Sequence, residues 1–444
     1  MVMASVLGSF SASSVPPPPK SFCCNHIAIP ITSIFIVSLF FQLKGTLTLE
    51  STVIKTAPAS FSDQLDTYFN SLSEPSSQTR WIQDYVMWHH DTRLQFPDTQ
   101  LFDHPNAPRL MIGYSNGGGL NDRSKFLGDL FQWAHEANRV LLLTWSHAPA
   151  DLELFLEPRF LNFTLPYHTT TDNVTILGDT YGSSDPRREN DEQRIILAPI
   201  NNGKFEYLAP FHIFWHVLFR PAPPVQKEID NAISYLKLSP GKYDAVHCRV
   251  THPAFRGITS YGSDLKAVDE QGAYEFKGDN KNAAVEAAIH GVQCANWIRN
   301  TTLPMENTSR EERSIYFFSD SQDLVRFMLR GDEDMPNQDT FDLVSTVTRL
   351  QSQFRIVGRF NSLVAHLENR NEETPFDAFV STFVDIYIAS KARCLSLGVG
   401  NYAYLSTKIK SGDVCCVRHQ NIAGKVARKW GMLQSISEIP TCAV

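Results

Sequence analysis

The chain has 444 residues, more than one ordinary core holds and about right for two domains of roughly 150–200 residues each. Hydrophobic residues at 43% and charged residues at 20% exclude a disordered or collagenous chain. Forty basic against 47 acidic residues leave a net charge of −7 with no long basic run, so no cationic field for nucleic acid is written here, and eight cysteines are too few for a small disulfide scaffold.

Residues 1–26 are rich in Ser and Pro and carry one charge, Lys20, which predicts a disordered tail. Residues 27–43 (IAIPITSIFIVSLFFQL) then form an apolar stretch inside an uncharged window running from 21 to 43, long enough to cross a bilayer. The long leader, and an A-x-A-like site no earlier than Ala57-Pro58-Ala59, favour an uncleaved anchor over a signal peptide. Lys20 on one side and Lys44 and Lys55 on the other leave the orientation open. Sequons at Asn162, Asn173, Asn300 and Asn307 permit a lumenal body. The expected plan is a tail (1–26), a single-pass anchor (27–43), a stem (44–60) and two domains, 61–240 and 241–444.

The first domain opens with a helical pattern over 80–90, where Trp81, Tyr85 and Trp88 recur at i, i+4 and i+7. A short apolar strand at 110–114 leads into Ser115, Asn116 and the glycines 117–119. An amphipathic helix is predicted over 120–137, with Leu127, Leu130, Phe131 and Ala134 on one face. Residues 140–145 (VLLLTW) form a second strand, apolar on both faces as buried parallel strands are. Together these make a βαβ unit opened by a triple-glycine turn. PAPP at 221–224 interrupts the pattern, and a helix over 225–238 leads to Ser239-Pro240-Gly241, where the domain boundary is placed.

In the second domain a strand over 243–250 (YDAVHCRV) sets His247 and Arg249 on one face and Val246, Cys248 and Val250 on the other. A helix over 282–299, a strand at 315–318 ending in Ser319-Asp320-Ser321 and a helix over 322–329 follow. A mostly apolar helix over 376–392 then precedes a strand at 394–397, the turn Gly398-Val399-Gly400-Asn401 and a helix starting near Tyr402. Alternating strands and helices predict an α/β fold of parallel sheets covered on both faces. No C-x-x-C pair occurs, which argues against a zinc site. Cys394 is placed to bridge Cys415 or Cys416, with buried thiols as the equal alternative.

Ligands of open parallel sheets bind outside the carboxyl ends of the strands. His247, Arg249, Asp320, Gly400 and Asn401 all fall there in the second domain, and Gly117, Gly118 and Gly119 do so in the first. Two glycine turns with a His, an Arg and an Asp suit a nucleotide carrying a diphosphate, which backbone amides and a guanidinium can grip. Competing readings attach to each: an ordinary βα turn for the glycines, a satisfied histidine for His247, a cap on the next helix for Asp320. Asp385, the only acid between 379 and 389, needs a hydrogen-bond partner if buried, bracing the nearby turn or touching ligand. Asp332, Glu333 and Asp334 match an Asp-x-Asp metal pattern but sit in a polar loop after a helix, so they read as a solvated acidic loop.

GGGLNDR (117–123), NRVLLLTW (138–145), ADLELFLEP (150–158), AVHCR (245–249), IYFFSDS (315–321) and FVDIYIASKARCLSLGVGNY (383–402) together resemble the fucosyltransferase superfamily. That group contains the protein O-fucosyltransferases and the α1,2- and α1,6-fucosyltransferases. The resemblance implies two facing Rossmann-like domains of GT-B type, GDP-fucose as donor, inversion at the anomeric carbon, no metal or other cofactor, and a Golgi or endoplasmic reticulum membrane location with a lumenal body. The implied partners are the nucleotide-sugar donor, a glycan or glycoprotein acceptor and the membrane, with no nucleic acid.

The family's His-x-Arg falls on His247 and Arg249, for the guanine side and the β-phosphate. Asp320 falls at the guanine, the late phosphate turn on Gly398 to Tyr402 (with Gly400, Asn401 and Tyr402 as donor-binding positions), and the first loop on Gly117, Gly118, Gly119, Asn121 and Arg123. This chain departs from the pattern at Gly118, at Thr251-His252-Pro253 and at Gly400, which leaves the catalytic base open. Arg249 and Asp122 are the catalytic candidates, with Asp264 and Asp279 as further candidate bases and Asp385 as a supporting residue. The alternative function is an anchored protein that keeps the fold and binds glycan or nucleotide sugar without turnover.

Overall fold

A computed structural model describes residues 59–72, 77–114, 120–145, 151–166, 194–199, 210–250, 279–302, 313–331, 341–360, 376–398, 402–410 and 415–419. The expected tail and anchor, Asn173, Asn307 and the 332–334 acidic loop lie outside the described residues. No helix among the described residues is long and apolar enough to cross a membrane. Asn162 is exposed, and its side-chain oxygen accepts bonds from the amide and hydroxyl of Thr164 at 3.3 and 2.7 Å.

The chain opens with α1 (Phe61–Asn70), which a reciprocal Ser60–Asp63 capping box starts, then α2 (Ser77–Gln95) and the short α3 (Asp98–Leu101). Strand β1 (Arg109–Tyr114) is followed by α4 (Leu120–Lys125), α5 (Leu127–Glu136) and β2 (Arg139–Thr144). The single helix expected over 120–137 is therefore two, separated at Phe126. Leu127, Leu130, Phe131 and Ala134 are buried as the periodicity predicts. Strand β3 (Leu156–Pro158), strand β4 (Ile195–Pro199), α6 (Phe211–Leu218), β5 (Phe219–Pro221) and α7 (Pro223–Tyr235) complete the first half. The PAPP run ends β5 and starts α7 with prolines in its first turn, where a missing N–H costs nothing.

The second half runs β6 (Asp244–Cys248), α8 (Asp279–Thr302), β7 (Ser314–Ser319), α9 (Gln322–Arg330), α10 (Phe341–Gln353), β8 (Arg355–Val357), α11 (Phe376–Ser390), β9 (Cys394–Leu397), α12 (Tyr404–Ile409) and β10 (Cys415–Arg418). One parallel sheet has the order β2-β1-β4, the other β10-β9-β6-β7-β8, also all parallel; β3 and β5 form a separate antiparallel ribbon. The chain is thus a mixed α/β fold with parallel sheets.

Side-chain alternation explains why these strands read as continuous apolar runs. Leu110, Ile112, Val140 and Leu142 face one apolar cluster, while Met111, Leu141 and Leu143 face another. In the second sheet Val246, Cys248, Ile315 and Phe317 pack under α8 and α9, and Ala245, Tyr316, Phe318 and Leu395 point the other way. Those two inward faces share one core, filled between the sheets by α6, α7 and α11. Cys394 and Cys415, opposite each other in the β9–β10 register, form a disulfide; Cys248 and Cys294 are buried thiols.

Candidate functional site

The register of two neighbouring strands builds the centre of the site. Cys248 pairs with Ser319, so the residues just beyond, Arg249 and Asp320, emerge side by side at the carboxyl ends of β6 and β7. Strand β6 stops at Cys248, two residues short of the expected end, so Arg249 is the first residue of the loop that follows. Arg249 Nε lies 3.7 Å from Asp320 Oδ2, an ion pair too long for a hydrogen bond. Both side chains keep partial exposure, 15% and 19%. The other carboxylate oxygen, Asp320 Oδ1, accepts the Val250 amide at 2.7 Å and so fixes the turn that presents Arg249. Asp320 does not cap α9: Ser321 does, accepting the Leu324 amide through Oγ at 3.3 Å.

His247 lies beneath this pair, 2% exposed. Its ring centroid is 5.0 Å from Phe318 and 5.5 Å from Tyr402, and its Nδ1 makes no hydrogen bond. Burial, reinforced by the neighbouring Arg249 charge, pushes its pKa down to about 3, so the ring is neutral at physiological pH. Tyr402 donates its hydroxyl to the Thr382 carbonyl at 2.6 Å, so the phenol ties the late turn to α11. Helix α12 begins at Tyr404, two residues later than expected, and Gly400 and Asn401 lie outside the described residues.

Asp385 braces the site from below. It is 2% exposed and accepts the Tyr316 hydroxyl at 2.6 Å and Arg359 Nη1 at 3.0 Å. Arg359 also donates to the Ser381 carbonyl and hydroxyl at 3.3 and 3.2 Å. Burial raises the Asp385 carboxyl pKa against the pull of Arg359 and Tyr316. Arg359 is the residue that sequence reasoning missed. It follows a three-residue strand, β8, too short to leave a periodic signal.

The first half meets this arrangement through α4, which packs against α12 and so brings the helix after the glycine turn to the helix after the late turn. Arg123, 1% exposed, holds its guanidinium 5.2 Å above the Trp145 ring, and Trp145 in turn stacks on Phe383 of α11 at 6.2 Å. Asn121, 3% exposed, has both amide atoms without a hydrogen-bond partner. A buried amide with neither group satisfied is costly and is the kind of group a ligand completes. Gly117, Gly118, Gly119 and Asp264 lie outside the described residues. Asp122 falls in α4 and Asp279 at the start of α8. Among the described residues, no three His, Cys, Asp or Glu side chains cluster as metal ligands would. Asp129, in the first turn of α5, is a carboxyl that burial pushes up to about 6. The sequence pattern gave no reason to separate it from a solvated helix-start acid.

No protein-family model matches the chain, and no curated protein matches it. Among solved structures it is similar to a mutant of FUT1 from Arabidopsis thaliana in complex with GDP, at 10% identity and a TM-score of 0.47, covering 78% of this chain and 80% of that one. It is similar also to the fucosyltransferase NodZ from Bradyrhizobium (10% identity, TM-score 0.39, 70% and 96% covered). A third likeness is to POFUT1 in complex with GDP-fucose (12% identity, TM-score 0.34, 70% and 98% covered).

Proposed function

We propose that the chain is an inverting glycosyltransferase that moves fucose from GDP-fucose to a hydroxyl of a glycan or glycoprotein. The observation that carries this reading is the pairing of Arg249 with Asp320 beyond the ends of adjacent parallel strands, over a buried neutral His247. The motif set running from Gly117 to Tyr402 supports it independently. The two halves would act as facing GT-B domains joined around Ser239-Pro240-Gly241.

In this reaction the acceptor oxygen forms a bond to the anomeric carbon while the bond from that carbon to the β-phosphate oxygen breaks, and GDP leaves with the electron pair. Arg249 stabilises the charge gathering on the diphosphate, the largest electrostatic requirement of the step. Arg249 Nε stands 3.7 Å from Asp320 Oδ2, and the guanidinium makes no hydrogen bond among the described residues, so its fork is available to oxygen ligands. Asp320 holds Arg249 and the Val250 amide in place, and Asn121 supplies a donor and an acceptor from the opposite half. Asp122 is the candidate base for the acceptor proton.

The test is a thermal-shift and turnover series with GDP, UDP, CMP and GDP-sugars. Selective stabilisation by GDP and GDP-fucose, with GDP released when an acceptor glycan is added, is the expected result. Stabilisation by UDP alone would sink the donor assignment, and GDP-fucose bound but never consumed would leave a binding protein. EDTA is expected to spare turnover, because a guanidinium faces the diphosphate; loss on chelation and rescue by manganese would overturn that role for Arg249. The same reading places the body in the Golgi or endoplasmic reticulum lumen behind an anchor at 27–43. Protease treatment of sealed microsomes checks it, since a carboxyl-terminal tag digested without detergent would put the body in the cytosol.

A further inference from the structure

At the opposite end of the second sheet lies a cavity of about 370 Å³. Pro240, Lys391 and Lys410, in its wall, come just before β6, β9 and β10, so they sit at the amino ends of these parallel strands. Arg249 and Asp320 sit at the carboxyl ends. Strands of four or five residues at about 3.3 Å each put roughly 13–17 Å between the two levels.

Among the described residues, the wall contains Arg159, Arg220, Lys391 and Lys410 and no carboxylate. The first two come from the β3–β5 ribbon and the residue after it, the other two from the ends of α11 and α12, so four separate segments converge their positive charge on one space. Some of that charge is already engaged. Arg220 Nε pairs with Glu157 at 3.0 Å, and Arg159 lies over the rings of Tyr68 and Phe160 at 4.8 and 4.9 Å. Lys410 Nζ donates to the carbonyls of Ala392 and Arg393 at 2.7 and 2.6 Å, which leaves one of its three N–H groups. The Lys391 ammonium is exposed and has no partner among the described residues. His216 in the same wall has its pKa pushed down to about 4, by burial first and then by Arg159, with smaller contributions from His212 and Lys391 and against the hydrogen bond to the Ile409 carbonyl.

The remaining wall is not charged. Phe219, Pro221 and Ile229 give an apolar floor, and Tyr387, whose oxygen accepts Trp215 Nε1 at 3.1 Å, keeps its own O–H to donate. A cavity of this size is at the small end of ligand pockets and holds about a dozen waters at roughly 30 Å³ each. We propose that it is a second ligand site, taking a sugar-sized molecule that carries a phosphate or sulfate group: cations for the oxyanion, an apolar floor for the ring. The proposal does not depend on the donor site.

The test uses the purified full chain in low salt with saturating GDP, so that an anion cannot score at the first site. Probes are glucose 6-phosphate, glucosamine 6-sulfate, glucose, inorganic phosphate and inorganic sulfate, measured by calorimetry. Saturable binding of glucose 6-phosphate or glucosamine 6-sulfate is expected, the better of the two naming the group, with glucose silent and the inorganic ions at least tenfold weaker. Lys391→Glu should weaken binding at least tenfold and Lys391→Gln by less, both with unchanged Tm. The exposed Arg326→Glu should leave it alone. Absence of saturable binding overturns the proposal, as does equal loss in Arg326→Glu, which would mean bulk electrostatics. Inorganic ions binding as tightly as the sugar esters would remove the sugar from it.

Discussion

Two buried or half-buried arginine–carboxylate pairs sit within one site, and they do different work. Arg249 and Asp320 are partly open to solvent and separated by 3.7 Å, so little folding energy rests on their attraction. Arg249→Lys keeps the charge and loses the bidentate fork. It should leave the Tm of the ligand-free protein nearly unchanged and weaken GDP binding at least tenfold, about 1.4 kcal/mol, by titration calorimetry. Lost stability with unchanged GDP affinity would instead make Arg249 a structural residue. Asp385 and Arg359 are the contrasting pair, buried and bonded to Tyr316 and Ser381. Removing one charge strands the other, so Asp385→Ala should cost about 3–5 kcal/mol in urea unfolding. A cost below about 1 kcal/mol would show that the network does not brace the core.

At the scale of elements, two close approaches decide how the second sheet is covered. Ser321 satisfies the first turn of α9, and Ser321→Ala should cost about 1 kcal/mol of stability. Gly358 follows β8, where a Cβ would run into the carbonyl oxygen of Phe317 in β7. A backbone oxygen paired into a sheet cannot step aside as a side-chain end can. Gly358→Ala should therefore lose about 1–3 kcal/mol, with the Arg359 contacts displaced. Equal or higher stability of this variant, measured by thermal melting, would mean that β8 shifts freely along its neighbour.

Across the whole described body, the shared core and its buried histidines set a pH limit. His89 and His247 are pushed down to about 3 and His216 to about 4, each chiefly by burial. An unfolded histidine titrates near 6.5, so between that value and the folded one the unfolded state holds more protons. Stability is full above about pH 6.5 and falls as pH drops, by roughly 1.4 kcal/mol per pH unit for each histidine. Urea melts from pH 7.5 to 5 should show that slope, and His89→Gln should reduce it by about one proton. A flat profile would mean that these rings are hydrated or charged in the folded state.

Strands β1, β2, β6, β7 and β9 and helices α2, α5, α7, α8, α9 and α11 were legible in the order of residues because they depend on local periodicity and on runs apolar to both faces, whereas the short strands β3, β5 and β8 left no such signal. His247 and Asp385 announced themselves as polar residues in apolar surroundings. What the order of residues left open was every pairing across the chain. The β6–β7 register puts Arg249 against Asp320. The β9–β10 register selects Cys415 over Cys416 for Cys394. Arg359 reaches Asp385 across 26 residues. The break at Phe126 also escaped periodicity, since the apolar spacing continues through it on α5. The cationic cavity draws one wall from 159, 220, 391 and 410, positions with no local relation. Local spacing sets which face a side chain takes. Which side chains meet is settled only when strands choose their neighbours and two sheets close on one core.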